Sequence, residues 1–377
     1  MIKRVLTTNI TECIGRGKAI ILTGARQVGK STLFKEMTQQ LNKPILSLNC
    51  DDPAVRDLLQ TISATELKRL VSNNKVIMID EGQRISDIGI TVKQLVDNYP
   101  DVQVMVTGSS SLDLRNRLND PMTGRKYEFI MYPVSTVELY NTYGYLQTKQ
   151  LLDFRLIYGS YPDVLTHTSE ARDLITELSD SYLYKDILEL DSVRKSNMLR
   201  KLLVALALQV GSEVSYNEVA KTIGSDSRTV ERYIDLLEKC FVVYRLHGLN
   251  RNLRNELKKC KKVLFYDNGV RNAILNNFSP IALRSDMGAL WENFFIMERI
   301  KRNAYNGRHA NYYFWRTTDQ KEIDYIEESD GTFTLFEMKW NPNKGNAKFP
   351  KAFLDNYPCT ASHVVTPANY LDFLLED

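Results

Sequence analysis

The run Gly24-Ala25-Arg26-Gln27-Val28-Gly29-Lys30-Ser31 keeps the spacing G-x-x-x-x-G-K-S, and those residue types at that spacing suit a polyphosphate. Glycines let the backbone wrap closely around phosphate oxygens, and the N–H groups of such a loop and of the helix after it point at the anion. In this reading Gly24 through Thr32 form the cradle, Lys30 reaches the β- and γ-phosphates as a point charge, and the Ser31 hydroxyl ligates magnesium. A loop of this kind needs a carboxylate from a neighbouring strand. Val76-Ile77-Met78-Ile79-Asp80-Glu81 supplies it, with Asp80 holding the ion directly or through water and Glu81 activating the attacking water as general base. The chemistry expected is hydrolysis of ATP with Mg2+. Glu81 beside Asp80 favours water over a small-molecule acceptor.

Two further positions extend the set. Ser109 or Ser110, after the apolar run Val102 to Thr107, is placed to bond the catalytic water or the γ-phosphate; the same serines also suit a helix N-cap ahead of Leu112 and Leu114, and the residues leave both readings open. Arg125, after Gly124, suits a charge sensor or a finger completing a neighbouring copy's site, and a solvated or structural arginine fits equally. A finger in trans would require a homo-oligomer.

The elements that must carry these groups are visible around them. Ala19 to Thr23 is a short apolar, β-branched run of the kind that forms a buried parallel strand, and Leu33, Phe34, Met37 and Leu41 recur at helical spacing after the loop. Val76 to Ile79 reads as a strand buried on both faces. Its carboxylates then emerge at the C-terminal end, where ligands sit in open α/β sheets.

Those nucleotide motifs, with Thr107-Gly108-Ser109-Ser110-Ser111, Gly124-Arg125, Tyr132-Pro133-Val134-Ser135 and Gly159-Ser160-Tyr161-Pro162, resemble prokaryotic AAA+ superfamily ATP-binding proteins that carry a C-terminal domain of unknown function. The resemblance covers nearly the whole chain. It implies an α/β protein: a P-loop NTPase of AAA+ type with a parallel sheet and a helical lid, then a winged helix, then a smaller restriction-endonuclease-like domain. The expected divisions are 1–130 for the ATPase core, 131–195 for the helical lid and linker, 196–250 for the winged helix and 251–377 for the nuclease-like domain.

Residue patterns in the second half agree with that outline. Tyr182 to Asp186, and Leu199, Leu202, Leu203, Leu206 and Val210, read as amphipathic helices. Ser215 and Glu218 form a capping-box pair opening a helix that stops at Gly224. A second helix from Ser227 to Cys240, followed by the apolar strand Phe241 to Leu246, completes a winged helix-turn-helix. On double-stranded DNA, Ser225, Arg228, Thr229 and Arg232 would face the groove. The basic stretch 251–262, with Arg251, Arg254, Lys258, Lys259, Lys261 and Lys262, would meet phosphates. The same unit also serves as a protein-contact module.

Further on, Glu292 on a helix, Asp324 on a strand and Glu337 with Lys339 on the next strand resemble the PD-(D/E)XK nuclease core. Residues two apart on a strand share a face, so Glu337 and Lys339 reach one pocket. There the carboxylates would bind Mg2+ and Lys339 would polarise water. A nuclease fold reused for binding would keep the same residues. Ile323 stands before Asp324 where the name-giving motif has proline.

Composition sets the limits. The chain has 377 residues, 43% apolar and 25% charged, which is the balance of a soluble globular protein with roughly two or three domains. A formal charge of +3, from 49 basic and 46 acidic side chains, points to no polyanionic partner by itself. Cys13, Cys50, Cys240, Cys260 and Cys359 form no C-x-x-C pair, and His167, His247, His309 and His363 show no metal spacing. With no apolar leader and no run long enough to cross a membrane, a cytoplasmic protein is expected.

Overall fold

Strand β1 (Ala19–Thr23) is apolar at four of its five positions and buried throughout, as a central parallel strand must be when helices cover both faces. Strand β3 (Val76–Asp80) is buried up to its half-buried Asp80 and β4 (Gln103–Gly108) is buried throughout, whereas β2 (Ile45–Asn49), buried only at Leu48, and β5 (Lys126–Ile130), with no buried position, form the edges. In this computed structural model, which describes residues 2–109, 122–190, 196–249, 261–317, 319–344 and 348–375, the five strands pair in parallel in the order β2-β3-β4-β1-β5. All C-terminal strand ends therefore share one edge. Ile21, Ile77, Ile79, Val104 and Val106 build the core with Leu95 and Val92 of helix Ile88–Asn98.

The chain divides into two compact units, Met1–Pro133 with Lys239–Phe241, and Val134–Glu238 with Val242–Asp377. The second begins with helix Thr136–Gln150, capped by a full capping box between Ser135 and Glu138. Helices Leu152–Tyr158, Ala171–Leu190 and Ser196–Leu208 follow, and Leu199, Leu202, Leu203, Leu206 and Val210 are all buried. The side chains of Tyr182 to Asp186 lie outside the described residues.

Helix Tyr216–Ile223 ends at Gly224 with φ 71°, the left-handed cap that glycine favours, and helix Ser227–Lys239 follows after a short turn. Ser215 accepts the Glu218 N–H, half of the box read from the sequence. Strand β6 (Val243–Gly248) then starts two residues later than the pattern Phe241 to Leu246 indicates.

Strand β6 pairs antiparallel with β7 (Lys261–Phe265) and, over His247 and Gly248, parallel with β8 (Asn311–Arg316). Strands β9 (Glu322–Ser329), β10 (Thr332–Met338) and β11 (Cys359–Val365) complete a six-stranded mixed sheet in the order β11-β10-β9-β8-β6-β7. One sheet thus runs across position 250/251, where the sequence suggests a division. Helix Met287–Tyr305 packs on this sheet through Trp291, whose indole N–H donates to Val365 O, and Phe295, whose ring meets Phe336. Among the described residues no helix is long and apolar enough to cross a membrane.

Candidate functional site

The loop after β1 is fitted to its surroundings at two glycines. Gly24 has φ 153°, and a Cβ there would lie 2.2 Å from the Met131 carbonyl oxygen, so no other residue fits. Gly29, at φ 97°, adopts the left-handed conformation just before helix Lys30–Gln40. Lys30 is buried. Its Nζ donates to the carbonyls of Gly24 at 2.9 Å and Ala25 at 2.7 Å, so its charge is held inside the loop that it must serve. Arg4 reinforces the loop from outside by donating to Val28 O at 2.9 Å and Tyr132 O at 2.6 Å.

Parallel pairing brings the carboxylates of β3 to this loop. Ser31 Oγ lies 2.8 Å from each oxygen of Asp80, and the Thr107 hydroxyl, at the end of β4, bonds Asp80 Oδ1 as well. Glu81, with φ 54°, directs its N–H to Thr107 Oγ1 at 3.1 Å. Its carboxylate accepts from the Gln83 amide and from Ser109 Oγ at 3.1 Å, and Gln83 in turn donates to Ser109 at 2.9 Å. A hydroxyl and a carboxylate side by side are hard oxygen donors, the set that suits Mg2+, and a glycine-lined loop with a lysine suits phosphate. Lys30, Ser31, Asp80, Glu81 and Ser109 are therefore brought together. Sequence reasoning gave no role to Thr107 or Gln83; Thr107 ends the strand between β3 and β1, and Gln83 lies two residues beyond Glu81.

Arg125 lies elsewhere. Its carbonyl accepts from the N–H of Ala19, the first residue of β1, so it stands at the sheet edge opposite the loop, roughly 16 Å away at the rise of a strand. Its guanidinium pairs with Asp97 at 2.6 Å. Arg125 does not sense the nucleotide loop of its own chain. Ser110, Ser111, Leu112 and Leu114 lie outside the described residues.

The basic stretch is corrected in part. Lys262 is 1% exposed, and its Nζ contacts Glu292 Oε1 at 2.8 Å and Glu322 Oε1 at 2.6 Å. Lys261 faces Glu231 at 3.5 Å and lies over the Tyr216 ring. Neither presents its charge to a phosphate backbone. Residues 251–260 lie outside the described residues. On helix Ser227–Lys239, Arg228 and Arg232 are exposed, and Asp226 caps the helix by accepting from Thr229 N–H at 2.9 Å.

The acidic residues of the last third do meet. Antiparallel β9 and β10 set Asp324 beside Glu337, with Met338 N–H donating to Asp324 Oδ2 at 2.8 Å and Lys339 Nζ to Glu337 Oε1 at 2.6 Å. Glu292 arrives from helix Met287–Tyr305. Burial holds the Asp324 carboxyl well above the usual range, the charges of Glu292 and Glu337 add to that, and Lys262 opposes it. Burial also raises Glu292, again against Lys262. Among the described residues no group of three or more His, Cys, Asp or Glu side chains is arranged to hold a metal ion.

The motifs Val134-Ser135 and Gly159-Ser160-Tyr161-Pro162 border a buried polar core. Arg155, fully buried, donates to Ser160 Oγ, Thr136 Oγ1 and Glu298 Oε1 at 2.8–2.9 Å, and Lys301 meets Glu298 at 2.7 Å. Burial pushes the Glu298 carboxyl up, but the charges of Lys301 and Arg155 more than reverse this and bring it to about 2. Ser160 N–H donates to Asp267 at 2.7 Å, and a Cβ on Gly159 would meet the same carboxylate at 1.9 Å.

With this geometry in hand, likeness to known proteins can be set beside it. Residues 16–140 match the family described as an AAA domain, and 149–280 and 287–374 match two domains of unknown function, DUF8612 and DUF4143. An uncharacterized protein of Mycobacterium tuberculosis is 25% identical over 344 residues, covering 89% of this chain and 74% of its own; one of Haemophilus influenzae is 26% identical over 327 residues, covering 81% and 78%. Among solved structures, the Walker-type ATPase of Pyrococcus abyssi superposes with a TM-score of 0.52 at 14% identity, over 73% of this chain and 96% of that one. The N-terminal unit has the fold of an AAA-like P-loop ATPase.

Proposed function

We propose that this chain is a magnesium-dependent ATP hydrolase whose nucleotide state governs the unit that follows. The observation that carries the reading is the Ser31 hydroxyl within 2.8 Å of both Asp80 oxygens, next to a buried Lys30 and with Glu81 one residue on. Gly24 to Thr32 cradle the phosphates, and Lys30 exchanges the carbonyls of Gly24 and Ala25 for phosphate oxygens. Ser31 and Asp80 would hold Mg2+, which would supply positive charge against the phosphate oxygens. Glu81 takes the proton of the attacking water, and Gln83 and Ser109 orient its carboxylate. Glu81→Gln should keep ATP binding while phosphate release falls by about 10²–10⁴-fold. Undiminished release would assign water activation to another group.

Arg125, remote from its own loop, acts on the nucleotide of a second copy in a homo-oligomer. Mixing Arg125→Ala chains with Lys30→Ala chains should rescue turnover, since some interfaces then pair an intact arginine with an intact loop; no rescue would remove the finger role.

The second unit is read as a winged helix-turn-helix joined to a nuclease-like sheet, and Arg228 and Arg232 on the exposed face of Ser227–Lys239 support contact with double-stranded DNA. Each arginine removed should lower the slope of log affinity against log salt by about 0.9. A salt-independent gel shift would count against it. A second reading, an ATP switch that recruits a protein partner through a catalytically silent nuclease-like scaffold, is favoured by the inward turn of Lys262.

A further inference from the structure

A PD-(D/E)XK core uses its carboxylates to hold a divalent ion, and that ion supplies the positive charge that the transferring phosphodiester needs. Here the positive charge is already part of the chain. Lys262, the second residue of β7, is buried, with its Nζ at 2.8 Å from Glu292 and 2.6 Å from Glu322. Glu322 and Asp324 are two apart on β9, so Asp324 shares the face on which Glu322 meets this ammonium. The ring of Phe314 closes the other side at 5.2 Å. Lys339 neutralises Glu337 at 2.6 Å.

We infer that Lys262 is the resident cation of this acidic cluster, taking the electrostatic place of a divalent ion, so that the Glu292, Asp324 and Glu337 set does not bind Mg2+ or Mn2+. An entering metal would have to displace an ammonium held by two carboxylates in a water-poor site, where like charges repel strongly. With Glu292 and Glu322 committed to Lys262 and Glu337 to Lys339, the sheet is a binding scaffold and not a metal-dependent cleaving site.

The test is thermal unfolding of the full chain without nucleotide, with and without saturating Mn2+. Wild type and Asp324→Asn should respond to Mn2+ alike. Lys262→Met, which removes the charge and keeps the buried stem, should gain roughly 5–10 °C in Tm with Mn2+, a gain that disappears in Lys262→Met/Asp324→Asn. A Mn2+ response in wild type that Asp324→Asn abolishes would overturn the inference, and so would a folded Lys262→Met chain indifferent to Mn2+. Should Lys262→Met not fold, the wild-type and Asp324→Asn pair decides alone: equal responses uphold the assignment and unequal ones reject it. ATP turnover is not read, so failure here is distinct from failure of the hydrolase.

Discussion

Two acidic sites stand in one chain, and their partners differ in kind. The Asp80 carboxylate accepts from Ser31 and Thr107 and that of Glu81 from Gln83 and Ser109, donors without formal charge that can yield to a cation. Glu292, Glu322 and Glu337 are met by Lys262 and Lys339, which bring the cation with them. The difference teaches that an acidic motif announces a metal only when its counter-charge is missing. Carboxylates at a strand end are the same residues in both places; what decides their chemistry is the third residue that the fold delivers.

The sharpest contrast is expected from the fully neutralised carboxylate Glu298. Glu298→Gln leaves Arg155 and Lys301 buried without their anion and should cost about 3–5 kcal/mol in urea unfolding. Because its folded pKa lies near 2, below the ordinary glutamate value, its contribution is fully present above pH ~4.3 and is lost as pH falls through about 2. The variant should therefore lose this part of the acid dependence; an unchanged acid profile would break the assignment.

Next in size is the pair of lysines. Lys30→Ala should lower ATP turnover by about 10²–10³-fold, the scale for losing one preorganised charge donor. Lys339→Ala should leave it within about twofold, since Lys339 serves Glu337. Equal losses from the two would erase the contrast. Smaller still, Gln83→Ala should reduce kcat about tenfold with KM unchanged, as one hydrogen bond to the Glu81 carboxylate is removed. A change in KM alone would move Gln83 from orienting the base to binding substrate.

How much of this was legible in the sequence follows from distance along the chain. The loop from Gly24 to Ser31 and the strand ending at Asp80 are local patterns, and parallel pairing of apolar strands brings them together wherever β1 and β3 fall in one sheet. The ends of one helix were equally readable: Ser215 opens it by accepting the Glu218 N–H, and Gly224 ends it in the left-handed conformation. The place of Arg125 could not be read locally, because its side of the sheet depends on strand direction, and β5 runs parallel to β1 with Arg125 before its start. Lys262 misled more instructively. Within a run of lysines it looks like a phosphate contact, and only the long-range pairing of β7 with β6, and of β6 with β8, carries it to Glu292 and Glu322. Register of that kind leaves no mark on residues near one another in the chain.

The contrast between the two sites is tested most directly by counting bound Mn2+ per chain by electron paramagnetic resonance, in one preparation, before and after adding a non-hydrolysable ATP analogue. The expected result is no tightly held ion without nucleotide and one with it, the latter lost in Lys30→Ala and untouched by Asp324→Asn. A nucleotide-independent Mn2+ that Lys30→Ala retains and Asp324→Asn removes would contradict the account.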